Sequence, residues 1–110
     1  MDNLTKVEEL VLMAIWQLEH HAYGYNIRKH ILDDFKKEFS IGNLYSVLNQ
    51  LDRKGYVSKS EGEPNERRRG KPKIYYHVTQ AGLQALKAAR KAYNLIWKGI
   101  PLRAFKNGEK

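Results

Sequence analysis

The chain contains no cysteine. That excludes a disulfide framework, a thiolate nucleophile and a thiolate-ligated metal, and it fits a reducing compartment. Long apolar runs are also missing. The longest, Leu10 to Trp16, has seven residues, against roughly 20 for a membrane-spanning helix. The first ten residues, MDNLTKVEEL, open with acids and lack the basic-then-apolar pattern of an export signal. A soluble cytoplasmic protein is the expectation. Catalytic signatures are absent too: there is no glycine-rich phosphate loop, no GxSxG and no HExxH. The four histidines are scattered. His30 and Asp34 share a helix face at i, i+4 but lack a third ligand. Asp33 and Asp34 are adjacent, so on a helix they point apart and make a poor acid/base pair. No enzyme, metal site or cofactor is expected.

What is present is positive charge. The 110 residues carry a formal net charge of +8, enough for one domain with a polyanionic partner. A core this small commonly gains stability by association. A solvated lysine-rich surface would give the same total, so position decides. Residues 1–60 hold eight basic and eight acidic groups, residues 61–81 five against three, and residues 82–110 seven against one.

Periodicity gives the order of elements. Thr5 and Glu8 have capping-box spacing at the start of a first helix. Val7, Leu10, Val11, Ala14, Ile15 and Leu18 follow as a core stripe. Leu12 and Trp16 project from another side, so this helix is expected to be buried on two sides, one of them against a partner. His20, His21 and Ala22 end it. A second helix runs from about Tyr25 to Lys37 with Ile27, Ile31 and Phe35 inward, and Lys36 and Lys37 suit its negative pole. Ser40 caps a third helix, in which Ile41, Leu44, Leu48 and Leu51 face inward; Gly55 ends it in a left-handed turn. Gly42, in its first turn, offers close approach to the preceding helix or to a phosphate. After Gly55 the period becomes two. Tyr56–Ser60 and Lys73–Val78 read as paired strands around the polar loop Glu61–Pro72. Thr79 caps a long helix with apolar Leu83, Leu86, Tyr93, Ile96, Trp97 and Ile100, limited by Pro101. The fold class is therefore mainly α with a small β-hairpin. Residues 1–78 form a winged helix-turn-helix, 79–100 a C-terminal dimerisation helix, and 101–110 a basic flexible tail.

In such an arrangement the third helix enters the DNA major groove. With its apolar residues buried, it presents Asn43, Ser46, Asn49, Gln50 and Arg53, with Ser40 at its start. Asn and Gln pair with adenine and Arg with guanine. Taken alone this is an ordinary polar face; its place before a hairpin gives it meaning. The loop contributes Arg67, Arg68, Arg69, Lys71 and Lys73, five cations within seven residues, suited to phosphates or a minor groove. Trp16, Leu86, Tyr93, Ile96 and Trp97 exceed what one small core needs, which points to a dimer interface with room for a flat hydrophobic ligand.

These residues resemble the PadR family of bacterial transcriptional regulators. The resemblance rests on Tyr23–Gly24–Tyr25 with Ile27; on Gly42–Asn43–Leu44–Tyr45 followed by Leu48, Leu51 and Lys54–Gly55–Tyr56–Val57; on Arg68–Arg69–Gly70–Lys71 leading into Tyr75–Tyr76; and on Val78–Thr79 with Gly82. It spans roughly residues 4 to 97. Asn43 and Ser46 stand where the family often has Thr and Pro, and the wing is longer than many. The resemblance implies a homodimer built through the last helix with help from the first, usually repression, and a DNA-binding role for Tyr45. In members that bind planar drugs or dyes, the ligand lies between the last helices and the first, at positions matched here by Leu12, Trp16, Tyr93 and Trp97.

The expected mechanism places two recognition helices one DNA turn apart, about 34 Å, on a pseudo-palindromic operator. An effector at the dimer seam would change that spacing. The alternatives are a winged-helix protein-interaction module, whose wing meets an acidic partner, and a small metal-dependent enzyme.

Overall fold

The computed structural model describes residues 4–62, 72–101 and 103–106. In chain order it has α1 (Lys6–Leu18), a 3-10 turn (Glu19–His21), α2 (Gly24–Phe35), α3 (Ile41–Arg53), β1 (Val57–Glu61), β2 (Ile74–Val78), α4 (Gln80–Lys98) and a helical turn α5 (Arg103–Lys106). The architecture is mainly α with one antiparallel hairpin, as the periodicity predicts. Among the described residues no helix is long and apolar enough to cross a membrane.

Helix α1 starts where its capping box says it should. The Glu8 amide donates to Thr5 Oγ1 at 3.1 Å, and the Thr5 amide donates to Glu8 Oε1 at 2.9 Å. The same Glu8 carboxylate is buried and accepts from Lys54 Nζ on both oxygens, at 2.8 and 3.0 Å. Because α1 packs against α2, α3, β2 and α4, its buried arc is wide. Leu12 lies within it and is fully buried, which corrects the expectation that it shares an outer face with Trp16. Val7, expected in the core, is 39% exposed instead, and Leu10 is half-buried. Both stand at the edge of that arc.

Helix α3 buries Leu44, Leu48 and Leu51 completely. Ile41, expected inward, is 51% exposed, because it occupies the first helical residue, one turn short of the packed positions. The helix ends in a Schellman arrangement: the Tyr56 amide donates to the Leu51 carbonyl and the Gly55 amide to that of Asp52, with Gly55 at φ +79°.

The hairpin pairs Val57 with Val78 through to Glu61 with Ile74. Its other edge takes up the chain between the 3-10 turn and α2. The Tyr76 amide donates to the Ala22 carbonyl at 2.8 Å, and Tyr23 bridges Tyr75. Thr79 then joins three elements. Its hydroxyl accepts from the Gly82 amide, capping α4, and donates to the Gly55 carbonyl at 2.7 Å. A Cβ on Gly82 would run into the Tyr56 carbonyl, so only glycine lets α4 leave the hairpin at this angle.

Beyond its first turns α4 departs from the body. Every residue from Lys91 to Ile100 is exposed, including Tyr93, Leu95, Ile96 and Trp97. The radius of gyration is 16.6 Å and the longest extent 58 Å, against about 13 Å radius for a compact chain of this length. The segment 101–110, expected as a flexible tail, contains the α5 turn, and Phe105 lies 5.5 Å from Trp97 between ring centroids.

Candidate nucleic-acid interface

Ser40 sets the start of α3 by accepting the Asn43 amide on its hydroxyl at 3.0 Å. Its oxygen is thus engaged as a cap before any ligand arrives. From there Asn43, Ser46, Asn49, Gln50 and Arg53 are all exposed, opposite the buried leucines. Ten steps of 1.5 Å from Asn43 to Arg53 make this a polar stripe of about 15 Å. Within it Arg53 Nη2 donates to Gln50 Oε1 at 2.6 Å, so these two side chains present a joined amide and guanidinium. Gly42 has nothing near the place a Cβ would occupy. The expected close approach to α2 is therefore not made there.

The close approach occurs one helix earlier. A Cβ on Gly24 would collide with the Tyr45 hydroxyl, so Tyr45 lies against the first residue of α2 while remaining 41% exposed. Behind it, burial and then the neighbouring Tyr45 and Asp52 push the Tyr76 phenol above its usual range. Tyr76 therefore backs α3 from strand β2. Asp52 also meets Lys59 of β1 at 3.4 Å. The wing base is thus fastened to the C-terminal half of α3.

Arg67, Arg68, Arg69 and Lys71 lie outside the described residues. Lys73 is described, and its ammonium sits 4.3 Å over the Tyr23 ring, which in turn meets Tyr75 edge-on at 5.5 Å. That cation is thus held against the entry to α2. Two features escaped sequence reasoning. Arg28 Nε donates to the Phe39 carbonyl at 2.7 Å and fixes the turn leading to Ser40. The Ala22–Tyr23 edge pairing spans some fifty residues, and periodicity carries no signal for either.

Of the residues expected on one dimer and effector surface, Tyr93 and Trp97 meet edge-on with ring centroids 6.2 Å apart, whereas Leu12 and Trp16 lie away from them within the chain. Leu86 and Tyr93 line a groove of about 1050 Å³ between α1 and α4, with Val7, Leu10, Met13 and Phe39. Lys6, Lys37, Lys87 and Arg90 rim it, against one carboxylate, Glu9. Lys6 Nζ lies 3.8 Å over the Tyr93 ring and holds that phenol below its ordinary range. Leu12 is in the core, Trp16 borders a different cleft, and Ile96 and Trp97 lie outside the groove lining. His30 bridges the helices, with Nε2 2.6 Å from Gln17 Oε1 and Nδ1 3.3 Å from Asp34. Among the described residues no three His, Cys, Asp or Glu are grouped to hold a metal.

Residues 11–88 match the model of the transcriptional regulator PadR-like family. No curated protein matches the chain. Among solved structures, a transcriptional regulator from Clostridium thermocellum is 25% identical with a TM-score of 0.70, over 86% of this chain and 88% of its own. A PadR family regulator from Eggerthella lenta is 27% identical with a TM-score of 0.66, over 83% and 77%. One from Clostridium difficile, at 19% identity, shares the fold with a TM-score of 0.70 over 87% and 95%.

Proposed function

The chain belongs to the transcriptional regulator PadR-like family, a family of DNA-binding regulators rather than enzymes, and we propose that it is a cytoplasmic repressor that binds a pseudo-palindromic operator as a homodimer. The observation that carries this reading is the exposed polar stripe of α3, capped by Ser40 and tied at its far end to the wing. Asn43, Ser46, Asn49, Gln50 and Arg53 read base edges, with Tyr45 beside them. Arg67, Arg68, Arg69 and Lys71, with Lys73 at the wing base, contact phosphates and set register. The exposed apolar residues of α4 and the groove beside α1 support the homodimer, since a second copy would cover both. The same groove suits a small planar hydrophobic effector. Its apolar walls and cationic rim favour a ring bearing an acidic group, and binding there would shift the separation of the two recognition helices.

The test is fluorescence anisotropy with the DNA upstream of the chain's own gene and with a shuffled sequence, across a salt series. Binding should be tighter to the upstream DNA and weaken steeply with salt. Replacing Arg67, Arg68 and Arg69 with Ala should weaken both and lower the salt slope by about 0.9 for each phosphate no longer neutralised. Asn43→Ala or Gln50→Ala should instead change sequence preference by roughly 1–3 kcal/mol at one base pair. No binding at low salt would leave the protein-interaction reading in its place.

A further inference from the structure

Gln50 and Arg53 stand about one turn apart on the exposed face of α3, and they form one group. Arg53 Nη2 donates to Gln50 Oε1 at 2.6 Å. We propose that this pair is a donor-only reader that selects guanine at one position of each operator half-site and rejects adenine there. The inference rests on the functional reading above and names the base which that reading leaves open.

The chemistry of the bound amide gives the base. A lone glutamine reads adenine with two bonds: its oxygen accepts from the N6 amine and its nitrogen donates to N7. Here the oxygen already accepts from Arg53. What the pair still offers is the amide NH2 and the other guanidinium N–H groups, all of them donors. The second lone pair of Oε1 does not restore adenine, because an N6 amine approaching it sets its positive hydrogens against the guanidinium. Guanine presents N7 and O6, two acceptors side by side, whereas thymine presents O4 beside a methyl group. The guanine edge is the complement of a donor-only pair.

The surroundings of Arg53 preserve its charge. The Asp52 carboxylate, next to it in sequence, meets Lys59 at 3.4 Å. None of the ion pairs among the described residues includes Arg53. Its partner is a neutral amide, which fixes the direction of the guanidinium without cancelling its charge. A phosphate contact has no use for a fixed direction, and recognition of a base edge does. Asn49 gives the contrast on the same helix. It is exposed beside Gln50 and has no such partner among the described residues, so it keeps both halves of its amide and remains an adenine reader.

The experiment selects the full chain on a library of random duplexes and then measures anisotropy on the selected duplex, with every base pair tried at each position. The wild type should hold guanine over adenine by at least about fivefold at one pair of the half-site. Gln50→Ala should bring that preference below about twofold. Arg53→Met frees the amide oxygen and should turn the preference at the same pair from guanine to adenine. Both side chains are exposed, so neither variant loses core packing. Adenine at that pair in the wild type, or variants that act at different pairs, overturns the proposal. A uniform loss on all duplexes with Arg53→Met also overturns it, by making Arg53 a phosphate contact. A wild type that enriches no motif overturns the functional reading itself, and this inference with it.

Discussion

Replacing Lys54 with Met isolates the ion pair that joins the start of α1 to the end of α3. Glu8 is 3% exposed and Lys54 Nζ stands 2.8 and 3.0 Å from its two oxygens. Burial alone would raise the Glu8 carboxyl. The Lys54 ammonium and the Thr5 bonds outweigh it, and the net shift is below the ordinary value of 4.5. In the wild type this contribution is complete above pH 4.5 and is lost as pH falls through the lower folded-state value. Removing the ammonium reverses the sign. The carboxylate keeps the Thr5 amide but loses its countercharge, and breaking such a buried pair costs about 3–5 kcal/mol. Protonation sets a ceiling. Holding a carboxyl of ordinary value 4.5 neutral at pH 7 takes about 3.4 kcal/mol at 1.36 kcal/mol per unit, and at pH 5 only about 0.7.

Lys54→Met should therefore lose about 2–3.4 kcal/mol at pH 7 and recover most of it by pH 5, where the wild type is flat. Urea unfolding followed by circular dichroism at pH 5, 6 and 7 measures this, with protomer concentration fixed because association shifts the midpoint. Adding Glu8→Gln keeps an acceptor for the capping box and should abolish the pH dependence. A loss below about 0.5 kcal/mol that is equal at pH 5 and 7 would refute the reasoning, because a mere packing defect does not titrate.

Three glycines should respond differently to alanine. Gly42→Ala meets open space and should stabilise by about 0.5 kcal/mol through helix propensity. Gly82→Ala drives a methyl group onto the Tyr56 carbonyl and should cost about 1–3 kcal/mol, since backbone cannot swing aside. Gly24→Ala meets only the tip of Tyr45; it should displace that ring and weaken operator binding while the urea midpoint moves little. Glu19→Gly relieves a φ of 55° and should raise stability by about 1 kcal/mol, strain relief exceeding the entropy that glycine adds to the unfolded chain. A destabilised variant would show that the positive-φ turn at Glu19 carries no strain.

What the sequence made legible was local. The capping box and caps at Thr5, Ser40 and Thr79, the Gly55 stop and the change of period after it all depend on neighbours within four residues, and each stands where periodicity put it. Leu12 went wrong for the opposite reason. A helix wheel gives the direction of a side chain but not how many elements converge on it, and α1 is covered by four. Ile41 failed likewise, since a stripe says which way a residue points and not whether anything reaches that far. The Glu8–Lys54 pair joins positions 46 apart in sequence; Glu8 was readable as a cap and its second role was not. The exposed stripe Asn43–Arg53 was legible because its complement, Leu44, Leu48 and Leu51, is so regular.

The separation of Trp16 from Tyr93 bears on how the positive charge should be understood. By count the excess lies on residues 82–110, and counting alone would assign it to DNA. In the folded chain Lys87 and Arg90 join Lys6 and Lys37 around the apolar groove instead. Cations placed there do two things at once. Their stems cover apolar surface while their heads stay in water, and they bias the groove against any positively charged occupant. A groove with this rim can discriminate ligands by charge before shape is consulted. Lys87→Glu with Arg90→Glu turns four cations against one carboxylate into two against three and should invert the groove's order of affinity for a planar aromatic carboxylate and 1-methylquinolinium. If the order of affinities does not change, charge does not sort the ligands and shape alone must.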